Sequence, residues 1–542
     1  MEDSVVYGID LGTTFSAVAR VNQQGDPVCI SLGDEGEWTI PSAVLFDDQK
    51  VFVGAQAIEN CWKPDTLLVE FAKRFIGLQS PGWPRQYSGW QYVPEEISAL
   101  ILRKLVKQIA RQRNLPPVRD VVVSHPQWFY MSQKETTREA VELAGLNLLA
   151  TITEPNAAAI AYGVYEQSAD KDSTVLVFDL GGGTFDVSLM RVGHRRFEMI
   201  GSAGDTHLGG MDWDHEIISR AKEKFQTAVG EAFDDVASDE EHVQLRKAAE
   251  RAKKKLSETE EVGFWVVAQG SKTVVEITRT EFEAITRPLL LRCLRRCEEL
   301  FEQTSYDWRR VDEILLVGSS TKMPMIAEAI KRIAGKEPRL DEDPKLMVAK
   351  GAAIWGEWIK SGKIDARWAA EEGATQATGL EDRTTPTVIG RTAHGLGILV
   401  TRERDPNALR GAEQPETVVD LLIEPNTATP HTYDKVFYTN RDNETAIPVP
   451  LYEGESKDPQ ECSRIGQVVI EGLPPRPKHQ PVRVKFHIDT SGLLEVEITD
   501  VETGRSTVQR LSKNILRASA PEQNAKLDLA ARRRHLDTLE VM

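Results

Sequence analysis

Cysteine is scarce in this chain, and the few cysteines are scattered. Its 542 residues include 5 cysteines, of which only Cys293 and Cys297 lie close together, one helical turn apart. A disulfide framework or a four-ligand zinc site needs more cysteines in paired clusters. The composition therefore favours buried or idle thiols over zinc ligands, and it suits a reducing cytosol.

Positive charge is also in deficit, because 66 Lys and Arg face 83 Asp and Glu, for a formal net charge of -17. So acidic a chain is a poor partner for nucleic acid or anionic membranes. No apolar run is long enough to span a membrane, and the N-terminus leads straight into a strand without a basic-then-apolar signal segment. These absences predict a cytoplasmic protein that binds neither nucleic acid nor membrane.

The length and the 41% hydrophobic content predict several domains with cores of their own. Apolar strands alternate with amphipathic helices up to residue 362, which is an α/β pattern. Residues 366–387 lack periodicity and predict a linker. Residues 482–489 then alternate apolar and polar side chains, which predicts an antiparallel sheet with one wet face. The predicted units are an α/β domain at 1–362, a linker at 363–395, an all-β domain at 396–511 and a short helical tail at 512–542.

The sequence around residues 175–189, V-L-V-F-D-L-G-G-G-T-F-D-V-S-L, predicts a buried strand, a tight glycine turn and a second strand. Glycines at such a turn leave backbone N–H groups open to phosphate oxygens. Asp179 at the strand end would repel a bare phosphate, so it makes most sense through a metal ion or its waters. An ordinary glycine-rich hairpin is the alternative for this segment alone.

The same pattern occurs a second time, at residues 5–20, V-V-Y-G-I-D-L-G-T-T-F-S-A-V-A-R. Asp10 takes the place of Asp179 in this copy, and Gly12 begins its turn. The repetition predicts two similar α/β halves that present acid-tipped hairpins to one cleft. Two such hairpins would clamp the phosphates of a nucleotide from both sides.

Two other charged segments, taken alone, are most simply interpreted as solvent-exposed surface. Lys73 lies among apolar neighbours in F-A-K-R-F-I-G, where a solvated surface charge is the default interpretation. The charged helix predicted at residues 238–257 is by default a solvated face.

Seven motifs in order make the chain resemble the heat-shock-protein-70 (DnaK-type) chaperone family. They are G-I-D-L-G-T-T-F-S, A-K-R-F-I-G, T-E-P-N-A-A-A-I-A-Y-G, F-D-L-G-G-G-T-F-D-V-S, G-D-T-H-L-G-G-M-D-W-D, E-R-A-K-K-K-L-S and L-V-G-S-S-T-K-M-P. The resemblance covers residues 5–359 well. It is fainter over residues 420–506, where V-F-Y-T-N-R-D-N-E-T-A-I and I-E-G-L-P-P-R-P are similar to the family's peptide-binding sheet.

The resemblance implies a two-lobed, actin-like ATPase domain, built from duplicated ribonuclease-H-like halves, that binds ATP or ADP with Mg²⁺. A small β-sandwich-like domain for a polypeptide substrate or protein partner would follow it. By the same resemblance, Glu154 orients or deprotonates the attacking water, and Lys73 lies on that water's side. Asp10 and Asp179 hold the hydrated metal. The phosphate-binding and catalytic loop residues would be Gly12, Thr13, Thr14, Gly181, Gly182, Gly183 and Thr184, supported by Gly209 and Gly210.

The family's adenosine site maps onto two segments, a helix and a later turn. The residues implied there are Glu250, Lys253, Lys254, Ser257, Gly318, Ser319 and Lys322. J-domain proteins and nucleotide-exchange factors are the co-chaperones that the resemblance implies.

Several departures from the family pattern limit what the resemblance implies. Ser319 replaces a glycine of G-G-S-T-R, and Lys322 replaces its arginine. A polar insertion occupies residues 401–416, and little chain remains for a helical lid. The family's leucine-rich linker is also missing, and the nearest apolar pair is Val388-Ile389. Two such side chains offer little area to dock, which predicts fast ligand exchange and weak coupling between ATP turnover and ligand binding.

Three functions remain open from the sequence. The first is a truncated chaperone that binds extended peptides in an ATP-dependent way. The second is an ATP-gated adaptor or scaffold for one dedicated partner. A small-molecule kinase on the same fold is disfavoured, because the motifs follow chaperone spacing and a kinase has no need of the C-terminal sheet.

Overall fold

The computed structural model describes residues 5–32, 37–48, 50–61, 63, 65–78, 80–112, 114–165, 172–193, 196–340, 343–363, 387–401, 417–488, 494–510 and 529–542. Most of the predicted linker, nearly all of the polar insertion and the first part of the predicted helical tail lie outside these residues. None of the helices within them has both the length and the apolar character needed to cross a membrane.

A first lobe is formed by residues 5–165. Its elements are β1 (Val6–Leu11), β2 (Phe15–Val21), β3 (Pro27–Cys29), β4 (Thr39–Pro41), β5 (Ala43–Asp47), β6 (Lys50–Val53), α1 (Ala55–Glu59), β7 (Leu67–Glu70), a 3₁₀ turn (Ala72–Phe75), β8 (Arg85–Tyr87), β9 (Trp90–Tyr92), α2 (Pro94–Ala110), β10 (Asp120–His125), α3 (Met131–Ala144), β11 (Asn147–Thr153) and α4 (Glu154–Tyr165). The main sheet has the order β11-β10-β1-β2-β3, with β4 paired to β2. Strand β10 runs parallel to both its neighbours, and Val121, Val122 and Val123 at its centre are fully buried.

A second lobe is formed by residues 172–363. Its elements are β12 (Ser173–Leu180), β13 (Phe185–Gly193), β14 (Arg196–Asp205), α5 (Gly210–Val229), α6 (Phe233–Val236), α7 (Asp239–Leu256), β15 (Glu261–Ala268), β16 (Ser271–Thr278), α8 (Arg279–Thr304), β17 (Glu313–Val317), α9 (Pro324–Ala334), β18 (Arg339–Leu340) and α10 (Met347–Lys360), with 3₁₀ turns at Trp308–Arg310 and Ser319–Lys322. Cys293 and Cys297 lie buried in α8 as free thiols, and burial raises the pKa of both.

Helix α10 joins the lobes, because it packs on α4 and on strands β1 and β2 of the first lobe. The approach is close enough that a Cβ on Gly351 would overlap the carbonyl group of Ala157. The small residues of the alanine-rich segment 156–162 permit this contact.

The last part of the chain is mostly antiparallel. Its elements are β19 (Thr387–Arg391), β20 (Gly395–Thr401), β21 (Thr417–Ile423), β22 (Ala428–Thr429), β23 (His431–Tyr438), β24 (Ala446–Gly454), β25 (Ser463–Glu471), β26 (Pro481–Ile488), β27 (Leu494–Asp500), β28 (Ser506–Arg510), α11 (Leu529–Thr538) and β29 (Glu540–Val541). Two four-stranded sheets, β21-β20-β24-β25 and β23-β26-β27-β28, enclose one core. Strand β26 has the alternation expected, with Val484 and Phe486 buried and Arg483 and Lys485 exposed.

Strand β19 lies within the segment predicted as a linker, yet it belongs to the sheet of the second lobe. That sheet has the order β18-β17-β12-β13-β14-β19-β22. Strand β19 runs parallel to β14, with Val388 opposite Phe197 and Ile389 opposite Glu198. Backbone pairing therefore connects the C-terminal sheets directly to the second lobe.

Candidate functional site

The two glycine hairpins of the sequence face each other across a cleft of about 810 Å³ between the lobes. A Cβ on Gly182 would overlap the side chain of Thr14, so the hairpins touch. Most residues assigned from the sequence line this cleft: Asp10, Gly12, Thr13, Thr14, Lys73, Glu154, Asp179, Gly181, Gly182, Thr184, Glu250, Lys253, Lys254, Ser257, Gly318, Ser319 and Lys322.

The other three assigned residues, Gly183, Gly209 and Gly210, lie behind the cleft wall and support it. The Gly183 carbonyl oxygen accepts a hydrogen bond of 2.8 Å from Arg74 Nε. A Cβ on Gly209 would come 2.5 Å from the Gly183 nitrogen, and the Gly210 N–H donates to the Gly181 carbonyl at 3.0 Å. These glycines therefore let the start of α5 pack against the second hairpin.

The first hairpin is fixed by Ser42, which follows β4. Its hydroxyl donates to the Gly12 carbonyl at 2.8 Å, and its N–H donates to the Thr14 carbonyl at 2.7 Å. With both carbonyls engaged, the hairpin is held in one shape before any ligand binds, which reduces the ordering cost of binding.

Lys73 and Glu154 form a buried ion pair at the base of the cleft. The distance from Lys73 Nζ to Glu154 Oε1 is 2.6 Å, and the two side chains are only 6% and 10% exposed. Lys73 lies in the 3₁₀ turn after β7, and Glu154 is the first residue of α4. The surface-charge interpretation of Lys73 is therefore wrong.

Three further carboxylates surround this pair: Asp10, Asp179 and Asp186. Burial, followed by the charge of Glu154, raises the pKa of Asp10 to about 7 and that of Asp186 to about 8. The same two causes raise the pKa of Asp179 well above its ordinary value. Burial alone would lower the pKa of Lys73, but the carboxylates of Glu154, Asp10 and Asp179 raise it. The site thus places four carboxyl groups around one lysine, and when they are ionised their charge exceeds what one ammonium group neutralises.

This charge imbalance suits a hydrated divalent cation. Asp186 Oδ1 and Thr14 Oγ1 are buried without a hydrogen-bond partner in the described part of the chain. Mg²⁺ prefers oxygen ligands and keeps several of its waters. No three His, Cys, Asp or Glu side chains among the described residues are placed to hold a metal directly. The donor set therefore fits a metal bound through water by Asp10 and Asp179.

The far end of the cleft is formed by α7 and the turn after β17. Lys253 is buried there, and its ammonium group donates to the Gly210 carbonyl at 2.7 Å and to Asp214 Oδ2 at 2.8 Å. At Gly318, φ is 82°, and a Cβ would crowd the Leu180 carbonyl, so only glycine fits this turn. Ser257 caps the C-terminus of α7.

Two other lysines at this end of the cleft, Lys254 and Lys322, are more exposed. Lys254 pairs with Glu250 at 2.6 Å and lies 5.1 Å above the ring of Phe15, and it is 57% exposed. Lys322 is 43% exposed and lies 3.9 Å from Asp343. Both ammonium groups are therefore largely hydrated, and Phe15 is the aromatic ring that Lys254 contacts.

From this geometry we predict weak binding of the adenine base of ATP. Guanidinium stacks on aromatic rings, whereas ammonium is a hydrated point charge. Lys254→Arg/Lys322→Arg should therefore raise ATP affinity by about tenfold and improve rejection of GTP, since one stacking contact contributes about 1–2 kcal/mol. Calorimetry with ATP and GTP measures both effects, and Lys255→Arg, an exposed neighbour, is the control. Tight, ATP-only binding by the wild type would contradict the prediction.

The sequence did not indicate three residues at the site: Ser42 and Phe15, which line the cleft, and Asp186, which lies buried beside it. Asp186 lies opposite Asp179 across the β12–β13 hairpin, and a carboxylate in the buried run F-D-V-S was its available signal. Ser42 follows β4 without any motif. Phe15 was quoted within a motif, but its position between Lys254 and Lys345 depends on contacts that are distant in sequence.

A second group of contacts joins the C-terminal sheets to the first lobe. Glu453 Oε2 accepts a hydrogen bond of 2.9 Å from the N–H of Met131, the first residue of α3. The ring of His394 stacks on Tyr130 with centroids 4.2 Å apart, and its Nε2 lies 3.2 Å from the Trp128 carbonyl oxygen. Burial raises the pKa of Glu453 despite the nearby His394. These contacts lie near the end of β10 and the start of α4, which carries the cleft residue Glu154.

Comparison with known proteins assigns the chain to a family. The sequence profile described as Hsp70 protein matches residues 6–368 and 408–530. The chain is 35% identical over 518 residues to "Chaperone protein DnaK" of Halobacterium salinarum, which covers 93% of this chain and 75% of that protein. It is 34% identical over 535 residues to the same-named protein of Thermus thermophilus, with 92% and 79% covered. For that of Metamycoplasma hominis, the identity is 32% over 548 residues, with 99% and 85% covered. The chain belongs to the Hsp70 family.

Proposed function

We propose that this chain is an ATP-dependent chaperone that hydrolyses ATP to ADP and phosphate. The observation that carries the proposal is the buried Lys73–Glu154 pair, set beside Asp10 and Asp179 between two glycine hairpins. In this proposal, residues 1–362 form an actin-like ATPase domain of duplicated ribonuclease-H-like halves. Residues 396–511 form the polypeptide-binding domain.

The residues around the phosphate end of the cleft have distinct roles in the proposed reaction. The N–H groups around Gly12, Thr13 and Gly181 to Thr184 bind the phosphate oxygens. Glu154 accepts a proton from the attacking water or orients it, while the Lys73 ammonium offsets negative charge on the transferred group. Phosphoryl transfer needs little more than such positioning and charge neutralisation.

Asp10 and Asp179 are the proposed holders of Mg²⁺, through its waters. When bound, the ion would neutralise charge on the phosphates of ATP. The Ser124 hydroxyl donates to Asp10 Oδ1 at 2.9 Å, which orients that carboxylate toward the cleft residues.

Asp186→Asn tests whether the carboxylate opposite Asp179 in the β12–β13 hairpin contributes to metal binding. Removing a carboxylate behind the metal holders should raise the Mg²⁺ concentration for half-maximal hydrolysis by roughly 10-fold or more. Steady-state ATPase titrations with Mg²⁺ measure the shift. Asp434→Asn changes an exposed acid on the C-terminal sheets and should leave the titration unchanged. An unshifted curve for Asp186→Asn would assign this residue a structural role only.

The C-terminal sheets are the proposed polypeptide site. Strand β23 is an edge strand, paired only with β26 among the described strands. Tyr433, Val436 and Tyr438 on this strand are exposed, and Tyr438 is 65% exposed. An edge strand with apolar side chains can pair with an extended peptide through backbone and side-chain contacts.

A dedicated-partner adaptor is the second candidate. It is favoured by the placement of α11, which packs on the first lobe and leaves the β23 edge uncovered by any described helix. A peptide array distinguishes the two candidates. Broad affinity for extended apolar peptides supports the chaperone, whereas one protein recovered by pull-down from the native host, with no array binding, supports the adaptor. If the wild-type chain neither hydrolyses ATP nor binds polypeptide, the proposal is overturned.

A further inference from the structure

Residues 529–542 leave the C-terminal sheets and return to the first lobe. Strand β29 pairs in parallel with β6, with Glu540 opposite Lys50 and Val541 opposite Val51. The Met542 N–H donates to the Val51 carbonyl at 2.8 Å. This segment, here named the clasp, therefore extends the sheet β6-β5-β7 by one strand.

Apolar burial attaches the helix of the clasp. Leu536 in α11 is fully buried and belongs to the core of the first lobe. Leu529, Leu539 and Val541 pack against the same core. Full burial of a leucine contributes about 1.5–3 kcal/mol, so Leu536 is the anchor of the segment.

Charged and aromatic contacts add specificity. Arg532 pairs with Glu96, whose side chain has no exposure at all. A buried carboxylate is costly without a partner, so the lobe surface at Glu96 favours a basic group. His535 stacks on Trp90 with centroids 3.9 Å apart, and its Nε2 lies 3.0 Å from the Tyr92 hydroxyl. Arg103 donates to Asp537 at 2.7 Å.

The clasp is a further attachment of the C-terminal part of the chain. Strand β19 holds the start of the sheets on the second lobe, the contacts of Glu453 and His394 hold them on the first lobe, and the clasp holds the segment that follows them on the first lobe. The other attachments keep the clasp at high effective concentration near its groove, so it rebinds readily after release. A helix of ten residues is marginal in isolation, which makes the clasp stable only while it is docked.

We propose that the groove between β6 and α2 is a peptide-binding site whose ligand is the chain's own clasp, and that the clasp dissociates from this groove while the lobe stays folded. The ligand class is a short basic amphipathic helix followed by an extended strand. Peptide binding to the groove is independent of the proposed ATPase activity.

Binding in trans tests the groove. The probe is a fluorescent synthetic peptide of residues 529–542, added to the full-length chain. In Arg532→Glu/Leu536→Asp the clasp is displaced, so the peptide should bind at least tenfold more tightly than to the wild type. Arg533→Glu, an exposed neighbour with the same charge change as Arg532→Glu, should behave as wild type. Retained ATP binding reports that the variant is folded, and a folded variant that does not bind the peptide overturns the proposal.

Hydrogen exchange on the wild-type chain gives an answer even if the variant misfolds. The Met542 amide should exchange at least tenfold faster than the amides of β1, because the clasp opens without global unfolding. If the Met542 amide is protected as strongly as the amides of β1, the clasp is a permanent part of the lobe and the proposal is overturned.

Discussion

Glu154→Gln should slow ATP hydrolysis by roughly 100-fold or more while ATP affinity changes little, because a positioned general base contributes about 10²–10⁴ in rate. The substitution leaves both glycine hairpins intact, and the amide oxygen of Gln can still accept from Lys73. Single-turnover hydrolysis and nucleotide binding, measured on the same sample, separate chemistry from affinity. Glu231→Gln, an exposed acid on the second lobe, is the matched control.

Lys73→Ala should be at least as severe. It removes the cation from a cluster that contains Glu154, Asp10 and Asp179, and it leaves the Glu154 carboxylate buried without its ion-pair partner. Truncating one member of a buried charge pair typically costs several kcal/mol. We therefore expect lost turnover together with reduced thermal stability. Near-normal turnover would remove Lys73 from the reaction, and weak ATP binding by Glu154→Gln would contradict its proposed role.

The sequence predicts best what depends on local chemistry. Glycine turns after apolar strands identify both hairpins, because the requirement for bare backbone N–H groups is written into consecutive residues. The alternation in β26 likewise depends only on its own side chains and one buried face.

Pairings between distant residues are much harder to predict. Lys73 and Glu154 are 81 positions apart, and Tyr92 and His535 are 443 apart. No periodicity in either segment indicates its partner, since a fully solvated lysine and a buried one can have the same neighbours in sequence. The clasp is missed for the same reason, because its anchor Leu536 looks like any leucine of a short amphipathic helix.

Docking of the predicted linker depends on backbone pairing as well as on the area of its side chains. Two aliphatic side chains supply roughly 3–5 kcal/mol when fully buried, and ordering the chain offsets part of it, which is why the sequence predicts weak coupling. In the structure, three residues of β19 are in register with β14 and two with β22. Each backbone hydrogen bond contributes about 0.5–1.5 kcal/mol net, and this contribution is independent of side-chain identity. The free energy that docks the linker therefore comes from backbone hydrogen bonds as well as from side-chain burial.

If backbone pairing holds β19 on β14, proline should disrupt coupling more than loss of the side chain does. Ile389→Ala keeps the N–H group and should retain most of the change in ATPase rate on polypeptide binding. Val388→Pro and Ile389→Pro remove neighbouring N–H groups that point in opposite directions, so one of them must break a hydrogen bond of the β14 pairing. That variant should lose the rate change almost entirely, which for a coupling of 1–3 kcal/mol is about a 5- to 150-fold effect. The ATPase rate with and without saturating polypeptide measures this, and unchanged basal turnover shows that the cleft is intact. If alanine and both prolines have equal effects, the coupling depends on the side chains rather than on backbone pairing. If polypeptide does not stimulate the wild type at all, the weak coupling that the sequence predicts is supported.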